Sequence, residues 1–158
     1  MSPNKNIFEN NPKKTIFLAL IIICLIILFL IELISFSIIY IKEGYKKDFV
    51  IIDAAMNDLM RPALYGAHHK ILPYKKSKKI KNQNYEFVGP ICESTDTFST
   101  VKKFQKLKER DYLAICDVGA YGTSLASNYN LRPKPIEILI KGSKILVIRK
   151  KQKLSELI

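Results

Sequence analysis

The sequence predicts a mainly β fold, an antiparallel β-sandwich or barrel preceded by an apolar N-terminal helix. Three observations lead there. Beyond residue 36, short runs rich in Ile, Val, Phe and Tyr recur between turn residues, as in antiparallel architectures. Two pairs of these runs flank a glycine-bearing turn, as hairpins do. Upstream, TIFLALIIICLIILFLI at 15–31 carries no charge.

The chain divides into a polar basic start (1–14), an apolar helix (15–35) and a β-domain (36–158). A helix crossing a bilayer needs about 20 apolar residues, with a lower limit near 17, so the run is a marginal span that Glu32 interrupts before LISFSIIYI resumes. Lys13 and Lys14 precede it and Lys42, Lys46 and Lys47 follow, which leaves no orientation by positive charge. No small-x-small cleavage site follows, which argues against a signal peptide. FSIIYIK at 36–42 and KDFVIIDA at 47–54 form the first hairpin around Glu43-Gly44-Tyr45. Asn57 to Ala67 reads as a short helix or irregular chain. Residues 68–84, with Lys70, Lys75, Lys76, Lys78, Lys79 and Lys81, read as a solvated loop. Further strands are expected at 85–90, 112–118, 135–142 and 144–150, the last two paired around Gly142-Ser143, and LSELI as a terminal turn.

A length of 158 residues with 48% hydrophobic composition suits one domain. The net charge of +12 arises from 26 Lys and Arg against 14 Asp and Glu. Lysine dominates, and Arg61, Arg110, Arg132 and Arg149 are the only arginines. Nucleic-acid readers lean on Arg forks, so the charge reads as compositional bias and no specific nucleic-acid partner is expected. Cys24, Cys92 and Cys116 are odd in number and lack CxxC spacing, so neither a disulfide framework nor a zinc site is indicated, and a reducing compartment fits. His68 and His69 find no third ligand, so no metal is expected and both read as surface residues.

VGPICESTDTF at 88–98 places a thiol, a carboxylate and a hydroxyl side by side after a Gly-Pro break. Proline ends the strand and puts Cys92, Glu93, Ser94 and Asp96 on a loop. Such a loop is either an active-site segment or a polar turn with one packed thiol. Cys116, in an alternating strand, reads as packing.

This block, with DAAMNDLMRPALYGAHH at 53–69 and DVGAYGTSLASNYNLRPKPIEIL at 117–139, resembles in order and spacing the C-terminal region of the diaminopimelate decarboxylases. These are pyridoxal-phosphate enzymes of the alanine-racemase-like fold, which join a (β/α)₈ barrel to a C-terminal Greek-key β-domain. The resemblance runs from about Ile38 to the C-terminus. It implies a cytoplasmic enzyme that converts meso-diaminopimelate to L-lysine and carbon dioxide, with pyridoxal 5'-phosphate held by a barrel lysine. By the same likeness Cys92 is the proton donor, delivered across a homodimer interface into the partner's barrel, and Glu93 meets the substrate's distal amino group. Arg61 and Tyr65 match substrate-binding positions, and Tyr121 matches the tyrosine that meets cofactor and substrate.

The sequence departs from the family upstream. A (β/α)₈ barrel takes about 200 residues or more, and the stretch before Ile38 cannot hold one. The family's lysine, HxGS and EPGR stretches find no counterpart, so the cofactor lysine is not expected in this chain and a separate barrel chain would have to supply it. A frame-shifted gene is the expectation, with a membrane-anchored β-domain interaction module as the alternative.

Overall fold

The computed structural model describes residues 33–77 and 84–158. Residues 15–32 of the expected apolar helix lie outside them, and its last three, Leu33 to Ser35, are strand. Among the described residues no helix is long and apolar enough to cross a membrane.

Among the described residues eight strands form, β1 Leu33–Lys42, β2 Lys47–Ile52, β3 Ile71–Pro73, β4 Asn84–Val88, β5 Thr97–Val101, β6 Tyr112–Cys116, β7 Glu137–Lys141 and β8 Lys144–Arg149. Two short helices, α1 Arg61–Tyr65 and α2 Ala120–Leu125, and 3₁₀ turns at Tyr129–Leu131 and Leu154–Glu156 complete the described elements. The first six strands form one sheet in the order β3-β6-β1-β2-β4-β5, and β7 and β8 form a separate two-stranded sheet.

Period-two alternation sets the buried face. In β2, Asp48, Val50 and Ile52 are buried and their neighbours half-buried, and in β4 Tyr85 and Phe87 turn inward. Both edge strands feed the same core, Ile71 from β3 and Phe98 from β5 joining Phe36, Ile38, Leu113 and Ile115. The sheet therefore curls around a single cluster. Phe87 and Phe104 meet edge-on with ring centroids 5.6 Å apart, and Tyr85 lies 6.3 Å from Phe87, separations at which aromatic pairs attract.

The mainly β class, both hairpins and the short helix at α1 match expectation. The purely antiparallel expectation fails at one pair, because β4 lies parallel to β2. Their connection, 53–83, is long enough for the crossover a parallel pair requires. β3 runs through the expected lysine loop, with Ile71 buried, and β5 forms at 97–101, where no strand was expected.

Strand direction positions the site. β1 is antiparallel to both β2 and β6, and β2 is parallel to β4. So β2, β4 and β6 run the same way, and the segments that leave them, starting at 53, 89 and 117, emerge at one end of the sheet.

Candidate active site

Those three segments begin the three blocks singled out in the sequence. The first and second are joined through Asp96, a buried carboxylate. Its Oδ1 accepts the Met56 N–H at 2.7 Å and its Oδ2 the Ile91 N–H at 2.8 Å. A Cβ at Gly89 would run into this carboxylate, which gives the glycine of the Gly-Pro break its reason. Burial pushes the Asp96 carboxyl up, against the backbone donors that favour its charge.

Inside the turn so formed, the Glu93 N–H donates to the Ile91 carbonyl at 2.8 Å and the Asp96 N–H to the Glu93 carbonyl at 3.1 Å. The side chains of Cys92 and Glu93 are exposed. Cys92 is therefore a free thiol displayed on a braced loop, not a packed one. Glu93 has a partner, since the Tyr129 hydroxyl donates to its Oε1. That hydrogen bond to the carboxylate pushes the phenol of Tyr129 up.

Arg132 ties the first block to the third. Its Nε donates to Asn57 Oδ1 at 3.0 Å, a terminal nitrogen donates to the Asp53 carbonyl, and the same group lies 3.6 Å from Asp58 Oδ2. The Ser127 N–H donates to the Asn57 carbonyl at 2.9 Å. Asn57 and Asp58 are both buried. Burial raises the Asp58 carboxyl, while the Ala55 N–H and Arg132 oppose the rise.

Arg61, half-buried at the start of α1, stands with its guanidinium 6.0 Å from the ring centre of Tyr121, within cation–π range. Tyr121 and Tyr65 are both exposed. Tyr121 enters α2 after Gly119, whose φ of 67° and ψ of 176° suit glycine alone. A Cβ at Gly122 would meet Val118 and Leu59, so this second glycine seats α2 on the core.

The five expected site residues thus stand on the connected blocks, with two contacts among their side chains and neighbours, Arg61 with Tyr121 and Glu93 with Tyr129. Asn57, Asp58, Arg132 and Tyr129 were not singled out, although all lie in the quoted blocks, and Asp96 was placed on the loop without its bracing role. An aspartate shortly after Gly-Pro is the one local signal, because Asp side chains cap turns.

His69 corrects the surface reading of both histidines. His68 is exposed, but His69 is buried and its Nδ1 lies 3.1 Å from the Cys116 carbonyl. A carbonyl only accepts, so Nδ1 carries the proton. Cys116 is half-buried, and burial pushes its thiol up. Among the described residues no His, Cys, Asp and Glu cluster fit for a metal ion occurs.

Residues 33–119 match the family described as pyridoxal-dependent decarboxylase, C-terminal sheet domain. Diaminopimelate decarboxylase from Helicobacter pylori is 46% identical over 126 residues, which are 80% of this chain and 31% of that protein. The enzyme of Vibrio cholerae is 43% identical over 118 residues, 75% of this chain and 28% of that protein. Among solved structures, diaminopimelate decarboxylase from M. jannaschii with L-lysine superposes with a TM-score of 0.74 at 38% identity, over 79% of this chain and 28% of that one. The H. pylori enzyme with L-lysine gives 0.69 at 44% identity, over 79% of this chain and 30% of that one. The chain thus spans under a third of the length of these relatives.

Proposed function

Because the chain belongs to the pyridoxal-dependent decarboxylases through their C-terminal sheet domain, we propose that it furnishes one wall of a diaminopimelate decarboxylase active site. The reaction is conversion of meso-diaminopimelate to L-lysine and carbon dioxide. The supporting observation is the convergence of three loops at one end of the sheet, with an exposed thiol and carboxylate on a turn braced by buried Asp96.

The donor set suits this chemistry. Pyridoxal phosphate, when bound, supplies a sink for the electron pair left when carbon dioxide departs. Its lysine belongs to a barrel outside these residues, on the same polypeptide or another. Tyr121, entering α2 at a glycine that lets backbone approach closely, is the residue here that would meet it.

Cys92 holds the proton. As the bond from the α-carbon to the departing carboxyl group breaks, the electron pair stays on that carbon, takes the proton from Sγ, and the thiolate is reprotonated from solvent. Glu93 binds the distal ammonium, using the oxygen not engaged by Tyr129. Arg61 supplies a fork for a substrate carboxylate, and Tyr65 lines the same entrance. A homodimer places the thiol in the partner's barrel, and the proposed setting is cytoplasmic.

The purified chain, given pyridoxal phosphate and meso-diaminopimelate, should yield no lysine. Co-expression with a barrel fragment should restore turnover, and Cys92→Ala should then lower kcat by about 10²- to 10⁴-fold. Equal complementation by the alanine variant removes the thiol from the proton-donor role.

A further inference from the structure

We propose that the end of the sheet opposite the candidate active site carries a pocket for a nucleoside polyphosphate. A cavity of about 400 Å³ opens there, a volume typical of small-molecule sites. It is lined by the end of β3 and the residues after it, and by the approach to β6 and its first residue. β3 is antiparallel to β6, so these boundaries lie away from Cys116, where β6 delivers its catalytic-face loop.

The walls are hydrogen-bonded to each other. The Tyr74 N–H donates to the Tyr112 carbonyl at 2.9 Å. Gln105 bridges the first wall with both ends of its amide, donating to the Lys75 carbonyl at 2.8 Å and accepting the Ser77 N–H at 2.8 Å. The Lys108 N–H donates to Asp111 Oδ2 at 2.9 Å, closing a turn that holds Arg110 at a φ of 67°, a conformation non-glycine residues rarely adopt.

Charge selects the ligand. Lys75, Lys76, Lys106, Lys108 and Arg110 line the cavity against one carboxylate, Asp111, already engaged by backbone. Among the described residues none of the five forms an ion pair. One exposed cation facing one anion gains little in salt water. Several cations around one compact group of charges gain more, which favours a di- or triphosphate over a monoanion. Two aromatic rings then select what the phosphates carry. Tyr74 and Tyr112 sit opposite each other across the β3–β6 ladder and both line the cavity, 77% and 59% exposed. Uncovered rings beside a polycationic rim suit a base stacked on tyrosine with its phosphates among the lysines.

The ¹⁵N-labelled 158-residue chain, titrated with ATP, inorganic tripolyphosphate and adenosine, tests this. ATP should shift the amide resonances of 74–77 and 105–112 saturably, bind more tightly than tripolyphosphate, and far outbind adenosine. Lys108→Glu with Arg110→Glu should weaken ATP by about tenfold or more, whereas Lys141→Glu with Lys144→Glu, an equal charge change on the β7–β8 hairpin, should not. Tyr74→Ala should weaken ATP by about fivefold and leave tripolyphosphate unchanged. ATP shifts spread over lysines elsewhere, equal losses in the two charge-reversed variants, or a silent Tyr74→Ala would each overturn the assignment. The readout is independent of decarboxylation.

Discussion

The six-stranded sheet and the β7–β8 hairpin are written in the same residues and end in opposite environments. FVII in β2 and EFV in β4 bury Val50, Ile52 and Phe87 almost completely. EILIK and KILVIR leave Ile140 61% exposed, Ile145 65% and Ile148 60%. The difference is not propensity, since all are rich in β-branched and aromatic residues. It is the presence of a facing layer. The large sheet curls onto itself and supplies its own, whereas the hairpin presents apolar side chains on both faces, and a contiguous exposed apolar surface of that kind favours association.

Substitutions can break or sharpen this contrast. Phe87→Ala removes a fully buried ring from the aromatic cluster and should cost about 3–5 kcal/mol in urea unfolding. Leu146→Ala on the hairpin should stay within about 0.5 kcal/mol. Equal costs would mean the hairpin is as well packed as the core.

Arg132→Ala should destabilise by about 2 kcal/mol, because it strips partners from buried Asn57 and Asp58. The figure is below that for a fully buried pair because the guanidinium is partly exposed. Amide exchange should quicken at 53–58 and not in β7–β8, and a uniform rise would deny the brace its local role.

Acidity gives a smaller effect. Burial holds the Asp58 and Asp96 carboxyls above the ordinary carboxylate range, so in the window between the ordinary and raised values the folded chain binds more protons than the unfolded one. Their contribution to stability is complete below the ordinary carboxylate pKa and is lost as pH rises through the raised values. Denaturation midpoints across that window should fall more steeply with pH for the parent chain than for Asp96→Asn. Matching slopes would remove Asp96 from the account.

The smallest change in stability accompanies Ile140→Lys with Ile145→Glu, two facing hairpin positions. Midpoints should hold within about 0.5 kcal/mol while sedimentation shows less self-association. Unchanged association would place the sticky surface elsewhere.

Much of the fold was legible because alternation and glycine turns are local signals. The β1–β2 and β7–β8 hairpins and β6 needed no more than that. β3 was hidden because three residues ending in Pro73 carry too little pattern beside a lysine run. β5, TFSTV, turns a single large side chain, Phe98, fully inward. The parallel placement of β4 is a choice of partner across the sheet, which no window of sequence expresses. At the site, Cys92, Glu93, Arg61, Tyr65 and Tyr121 were picked out by resemblance to a family, and their roles rest there. Asn57 and Asp58, and the bracing role of Asp96, escaped notice because a buried polar residue looks like a surface one until its partners, up to 75 positions away, are in place.

That separation orders the birth of the protein. Arg132 reaches back 79 positions to the carbonyl of Asp53, so the cross-brace cannot close until residue 132 has cleared the ribosome. Strands drawn from the first half of the domain can pair earlier, and so can the thiol-bearing turn, whose Asp96 contacts all lie within residues 56–96. Long-range closure of this kind is slow. A polypeptide halted before Arg132 would carry its thiol on a turn already held by Asp96 while the first and third blocks stay untied.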